Sequence, residues 1–299
     1  MARPEADWQR RGEMSQFLKR HALEGLLLLP LSVYLCVLTG LPLLSCLVLS
    51  FTESDMGLFP TLANYRLLLQ DSQFALALRN TLWLTGLGVS LQLLTGLGVA
   101  LVLHALILGR GIVRTIVLTP LGVPTIVAGV MFTYLFGSAG YLNELLHRLG
   151  AIDTPIDWLG GDWRSLGVIL VAELWKVTPL VTLIMLAGLE SVPESALEAA
   201  AVDGAGAWRR FWYVTLPLLR PSLITAVVLR ATDAFRIFEL PLILTGKSVP
   251  VLGTFAYSEY YEYYNPLTSA AAASLLLGMV ALCVVGYLFL MARRQGEAS

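Results

Sequence analysis

Six stretches of this chain are long and apolar enough to cross a lipid bilayer, and that requirement constrains its fold more than any other feature. A helical span takes about 20 mostly apolar residues to cross roughly 30 Å of hydrocarbon. Leu23 to Phe51, Thr81 to Leu108, Thr115 to Gly137, Leu166 to Leu189, Ser222 to Thr245 and Thr268 to Met291 all qualify. Lipid offers no hydrogen bonds, so each stretch has to satisfy its own amides as a helix. Composition agrees. Of 299 residues, 57% are hydrophobic and 14% charged, against about a quarter charged in a soluble domain. The expected fold is all-α, a polytopic membrane protein with six transmembrane helices. Pro30 and Pro42 predict a kink or tilt in the first span.

Lysine and arginine are unevenly shared between the two sides. The N-terminal segment (Arg3, Arg10, Arg11, Lys19, Arg20), the loops after spans 2 and 4 (Arg110, Arg114, Arg209, Arg210, Arg220) and the tail (Arg293, Arg294) hold 12. The other side holds 5, at Arg66, Arg79, Arg148, Arg164 and Lys247. The positive-inside rule therefore places both termini in the cytoplasm. The expected layout is a cytoplasmic segment at 1–22, a membrane domain at 23–292 with a cytoplasmic loop at 190–221, and a tail at 293–299. A polar start and a long first span predict an uncleaved anchor rather than a leader.

Several chemistries are excluded. A net charge of -1 supplies no basic field for nucleic acid. Cys36, Cys46 and Cys283 lie in apolar runs without metal-ligand spacing and read as small buried side chains. His21, His104 and His147 are scattered, with His104 read as a satisfied polar residue rather than a proton relay. No catalytic constellation is present. Gly246-Lys247-Ser248 resembles the end of a phosphate loop, but that motif needs a glycine where Pro241 stands. The chain is expected to bind no cofactor and to hydrolyse no nucleotide.

The loop from Glu190 to Pro221 reads as two short helices. Ser191 and Glu194 have capping-box spacing around Pro193, and Ala196, Ala199, Ala200 and Ala201 favour helix. Gly204, after Asp203, predicts a sharp stop. A second helix through Trp208, Phe211 and Trp212 is expected to end at Pro217 and Pro221. The residues alone leave two readings open: docking into another protein's groove, or lying on lipid headgroups.

Charges within the spans need partners or water. Arg230, Asp233, Arg236 and Glu239 alternate in sign at every third position of span 5, and Glu173 and Lys176 do so in span 4. Neighbours three apart can pair, so these residues either neutralise one another or line an aqueous path. With Trp175, Phe235 and Phe238 they form the mixture a sugar requires: charged groups for hydroxyls and aromatic faces for the ring. Pro179 and Pro241 are expected to break their helices there. Two copies of Leu-Thr-Gly-Leu-Gly-Val, at Leu84 and Leu94, suggest a close-packing surface. Trp158, Trp163, Tyr257, Tyr260, Tyr261, Tyr263 and Tyr264 in the outer loops suit interfacial anchoring or an extracytoplasmic partner.

Glu198-Ala199-Ala200, Asp203-Gly204-Ala205, Phe211, Leu216-Pro217 and Pro221 together resemble the "EAA" loop of permease subunits of binding-protein-dependent ABC importers. Asn64-Tyr65, Leu67 to Leu69, Asp71, Phe74 and Ala77 to Thr81 resemble the segment before span 2 in carbohydrate permeases. Leu244-Thr245-Gly246 is similar to their "LTGG", with Lys247 replacing the second glycine. Asp233 to Arg236 is most similar to the first permease of trehalose- and maltose-type importers. The resemblance implies a type I permease for an α-linked disaccharide. Its partners would be a second homologous permease, two ATPase subunits holding ATP and Mg, an extracytoplasmic binding protein and the bilayer. It further implies coupling to the ATPase through Glu198, Ala199, Ala200, Asp203, Gly204, Leu216 and Pro217, and sugar entry near Asp233 and Arg236. A permease for glycerol-phosphate or another polar solute, or an ion-coupled transporter using Glu173, Asp233 or Glu239, would be the alternatives.

Overall fold

A computed structural model describes residues 26–53, 59–106 and 108–297, with side chains to residue 289. The expected segment 1–22, the start of span 1 and the arginines of the tail fall outside what it describes, as side chains or entirely. Every regular element among the described residues is helical. Helix α1 (Leu26–Ser50) leads through α2 (Ala63–Gln70) to the long α3 (Ser72–Ala105). Span 3 is split into α4 (Arg110–Gly122) and α5 (Thr125–Phe136), followed by α6 (Tyr141–Arg148). Span 4 is α7 (Trp163–Glu190), and α8 (Glu194–Val202) separates it from α9 (Ala207–Ala234). Helices α10 (Glu239–Thr245) and α11 (Leu252–Tyr261) precede α12 (Pro266–Glu297). Six helical segments are long and apolar enough to span a membrane: α1, α3, α7, α9, most of α12, and Thr125–Arg148, which joins α5 and α6.

Proline positions account for most departures from the expected boundaries. Pro124 drives Val123 into an extended conformation, with ψ 126°, so span 3 breaks at its middle. Pro217 and Pro221 do not end a helix as expected; both lie within α9. A π-helical turn at Phe211–Thr215, in which the Leu216 N–H donates to the Phe211 carbonyl, widens the helix where the Pro217 ring would otherwise clash. Helix α1 has the same device: a π turn at Cys36–Gly40 precedes Leu41-Pro42. Span 5 instead breaks at Phe235–Phe238, between α9 and α10. Pro179 sits inside an unbroken α7. Pro241 falls in the first turn of α10, where the missing N–H has no intrahelical partner to lose.

Helix α7 is the centre of the molecule, packed against α3, α9, α4, α5 and α10. Two apolar clusters stack along it. One joins Leu84, Phe132, Ile169, Ala172, Leu240 and Leu244 toward the α11 end. The other joins Ala100, Leu103, Val181, Met185, Leu186 and Leu219 toward the α8 end. A third ties α2 and the start of α3 to α11 and α12 through Leu68, Phe74, Phe255 and Ala271. The resembling segment before span 2 builds this corner: Asn64 donates to the Ser50 and Thr52 carbonyls at 3.1 and 2.9 Å. Asp71 caps α3 by accepting from the Gln73 N–H, so the helix starts well before Thr81. The cysteines are not buried as expected: Cys36 is exposed, and Cys46 and Cys283 are half-buried.

The glycine repeats of α3 contribute one glycine each to the α7 contact. Gly88, Gln92, Gly96 and Ala100 form a buried stripe at four-residue spacing, while Gly86 and Gly98 face open space. A Cβ on Gly96 would stand 2.6 Å from Val181 Cγ1, whereas one on Gly88 would stand 3.4 Å from Leu170. Gly96→Ala is therefore expected to destabilise the bundle by about 1–3 kcal/mol, and Gly88→Ala by much less. Thermal unfolding in detergent would test this, with Val181→Ala expected to restore part of the Gly96→Ala loss.

Candidate functional site

A polar layer lies where the two apolar clusters of α7 meet. Its centre is Arg230 on α9, only 1% exposed. The guanidinium donates through Nε to Gln92 Oε1 of α3 at 2.9 Å and through Nη1 to Asp233 Oδ2 at 2.6 Å. Nη2 lies 3.7 Å from Glu173 Oε2 of α7. One cation thus joins three spans. Asp233 also lies 3.5 Å from Arg236 Nη2, at the point where α9 ends.

The expected pairing of Glu173 with Lys176 is not formed. Glu173 turns to Arg230, and Lys176 Nζ donates to the backbone carbonyls of Pro120 and Val123. Those carbonyls lie at the C-terminus of α4, which favours a cation electrostatically and by hydrogen bonding. Glu173, Lys176, Arg230 and Asp233 share a cleft of about 230 Å³ with Leu121 and Thr125, beside both broken spans. Irregular backbone at membrane depth is tolerated where it lines such a cavity.

Other expected path residues stand apart. Trp175, two positions from Glu173 on α7, packs its ring 5.8 Å from that of Phe132 and lines a separate hollow with Thr95, Pro120 and Pro179. Phe235 is half-buried in the break and Arg236 is exposed. Glu239 belongs to the first turn of α10 rather than to the helix of Arg230, where the helix dipole favours its charge. Gln92 was not anticipated. Its signal was the single side-chain amide between Thr81 and Leu108, a group that needs a buried partner.

At the α8 end the loop takes a defined shape. Ser191 is not an N-cap: it ends α7, its hydroxyl donating to the Gly188 carbonyl at 2.7 Å. Pro193 precedes α8 instead, because the residue before a proline avoids the helical region. Helix α8 ends in a Schellman motif. Ala205 N–H donates to the Ala200 carbonyl and Gly204 N–H to that of Ala201, with Gly204 at φ +78°. Glu198, Ala199, Asp203 and Gly204 are exposed, while Ala200, Leu216 and Pro217 are half-buried. An Arg110–Glu190 ion pair ties the start of α4 to the end of α7 just before this loop.

At the α11 end the outer aromatics divide. Trp158 is structural, donating from its indole to Asn143 Oδ1 at 3.0 Å, while Trp163 and Tyr264 are exposed. Gly246 follows a helix instead of starting one and takes φ +56°, the reverse of a phosphate loop. Lys247 pairs with Glu262 at 2.5 Å, a hydrogen bond that raises its pKa. Burial, with the nearby Asp71 charge, raises the pKa of Glu259.

The sequence profile of a family described as "binding-protein-dependent transport system inner membrane component" matches residues 92–292. The trehalose transport system permease protein SugA of Mycobacterium tuberculosis is 37% identical over 276 residues, covering 89% of this chain and 86% of that protein. The trehalose/maltose transport system permease protein MalF of Thermococcus litoralis is 36% identical over 246 residues, covering 80% and 82%. Among solved structures, a chain of a bacterial ABC transporter that imports the acidic polysaccharide alginate superposes with a TM-score of 0.81 at 22% identity. The match covers 94% of this chain and 99% of that one, and it establishes likeness of fold.

Truncating Arg230 leaves carboxylates without their cation. Arg230→Met is expected to cost about 3–5 kcal/mol, read as a loss of thermal stability in detergent. Arg230→Met with Glu173→Gln should recover part of that loss by removing a buried charge.

Proposed function

The chain belongs to the family of binding-protein-dependent transport system inner membrane components, and from that premise we propose that it is the permease subunit of an ATP-driven importer for an α-linked disaccharide of the trehalose or maltose type. The membrane cleft at Glu173, Arg230 and Asp233 is the observation that carries the sugar reading. Its two carboxylates and two cations balance in formal charge, and each already has a partner, Lys176 on backbone carbonyls and the others on one another, so it offers a neutral solute hydrogen bonds without a net charge to neutralise. The names of the relatives support the same substrate class. A glycerol-phosphate solute would instead rely on the exposed guanidinium of Arg236.

In this reading both termini and α8 are cytoplasmic, following the distribution of Lys and Arg. A loaded binding protein meets the α11 end, and two ATPase subunits receive α8. Glu198 and Asp203 supply polar contacts to the ATPase, and Ala199 and Ala200 allow close approach. Gly204 holds the left-handed turn, while Leu216 and Pro217 join the loop rigidly to α9. Closure of the ATPases on ATP and Mg then moves α9 and the Asp233–Arg236 break together. The sugar passes between this chain and a second, homologous permease. ATP chemistry stays on the partner, and membership of an ATP-driven family replaces the ion-coupled alternative.

Proteoliposomes holding this chain, its second permease, the ATPase and the binding protein should take up labelled trehalose or maltose only with ATP. Gly204→Asp should abolish that uptake. Gly204→Ala should weaken it only through the left-handed backbone strain of about 1–2 kcal/mol, because the added Cβ meets open space in the isolated chain. Gradient-driven uptake without the ATPase would overturn the assignment.

A further inference from the structure

Three aromatic rings contact one another in succession from the break in span 5 along α11. Phe238 closes the break as the N-cap of α10. Gly253, in the first turn of α11, packs against it: a Cβ there would stand 3.1 Å from the Ile237 carbonyl oxygen and 3.5 Å from the Phe238 side chain. One turn further, the Tyr257 ring meets Phe238 edge-on with centroids 5.5 Å apart. A second turn brings Tyr261 parallel to Tyr257, again at 5.5 Å with 7° between the planes. Four-residue spacing keeps Gly253, Tyr257 and Tyr261 on one face of α11, advancing about 6 Å per step.

This row is not core. Tyr257 is 39% and Tyr261 64% exposed, whereas Leu252, Thr254 and Phe255 fill the buried side of α11. Headgroup anchoring accounts poorly for it, because Phe238 has no polar tip and sits at the helix break. Arg236 and Glu239, both exposed, flank Phe238 in sequence and place charged hydrogen-bonding groups at the lower end.

We infer that Phe238, Tyr257 and Tyr261 form a carbohydrate-binding track that takes pyranose rings from the mouth of the bundle to the Asp233–Arg236 break; this rests on the sugar-importer reading. A pyranose presents an apolar C–H face that packs on an aromatic ring, and its hydroxyls point away from the rings to water and the flanking charges. Each stacking contact is weak, so a ring can leave one step for the next. The row selects for ring shape more than for the arrangement of hydroxyls.

Two measurements test this. In the reconstituted importer, Tyr257→Ala and Tyr261→Ala should each raise KM for the disaccharide about threefold to tenfold, with kcat changed less than about twofold. Tyr257→Phe and Tyr261→Phe keep the ring and should stay near the wild type, as should Tyr141→Ala, an exposed tyrosine off the row. Unchanged KM in the alanine variants, or equal damage in the phenylalanine ones, would overturn the track. So would a selective loss of ATP turnover elicited by unloaded binding protein, which would make the row a protein contact. The second measurement needs no transport. In the purified full chain, Tyr261→Trp should show fluorescence changes with methyl glucoside and none with acyclic sorbitol. A failed importer reading would show as absent uptake by the wild type; a failed track would show as absent ring selectivity here.

Discussion

A guanidinium sealed among membrane helices has to find its acceptors inside the protein, and the arrangement around Arg230 follows from that need. Gln92, Glu173 and Asp233 come from α3, α7 and α9, so satisfying one cation brings three spans into register. Apolar packing alone specifies depth weakly, because a leucine face slides along another leucine face at little cost in lipid. The polar layer removes that freedom. It also divides the apolar interior in two, leaving cleft volume where the clusters part.

Backbone breaks occur at that same layer. Pro124 ends one half of span 3, and its orphaned carbonyls are met by Lys176. Span 5 ends its first half beside Asp233, where the carboxylate also holds Arg230 and Arg236. The helices that carry the breaks are thus held by side chains from the unbroken α7. Toward the other end, α9 runs without interruption back to Ala207, close to the Gly204 turn that ends α8. A π turn accommodates Pro217 in that run, so displacement of the loop can be carried directly to the layer.

Much of this was legible in the residues themselves. The six spans follow from run length and apolarity, and the turn at Gly204 from a glycine placed after an alanine-rich helix. Pairing was less legible. Glu173 and Lys176 are neighbours on one helix, yet each has a better partner on another: Arg230 for the carboxylate, helix-end carbonyls for the amine. Ser191 likewise has capping spacing but lies at the end of α7, with Pro193 delaying the next helix. The prolines misled most. Pro179, Pro217 and Pro221 stay inside helices, and Pro124 alone ends one of these spans by constraining the residue before it.

What the sequence determined by itself was the solvent, the helical class, the number of spans and the shape of the loop at Gly204, because each depends on local composition or backbone preference. Tertiary structure decided which charges pair, which glycines of α3 meet α7, and where the spans break relative to one another. Those outcomes depend on which faces of distant helices meet. A buried charge is settled by the lowest-energy set of acceptors within reach, and reach is a property of the packed bundle.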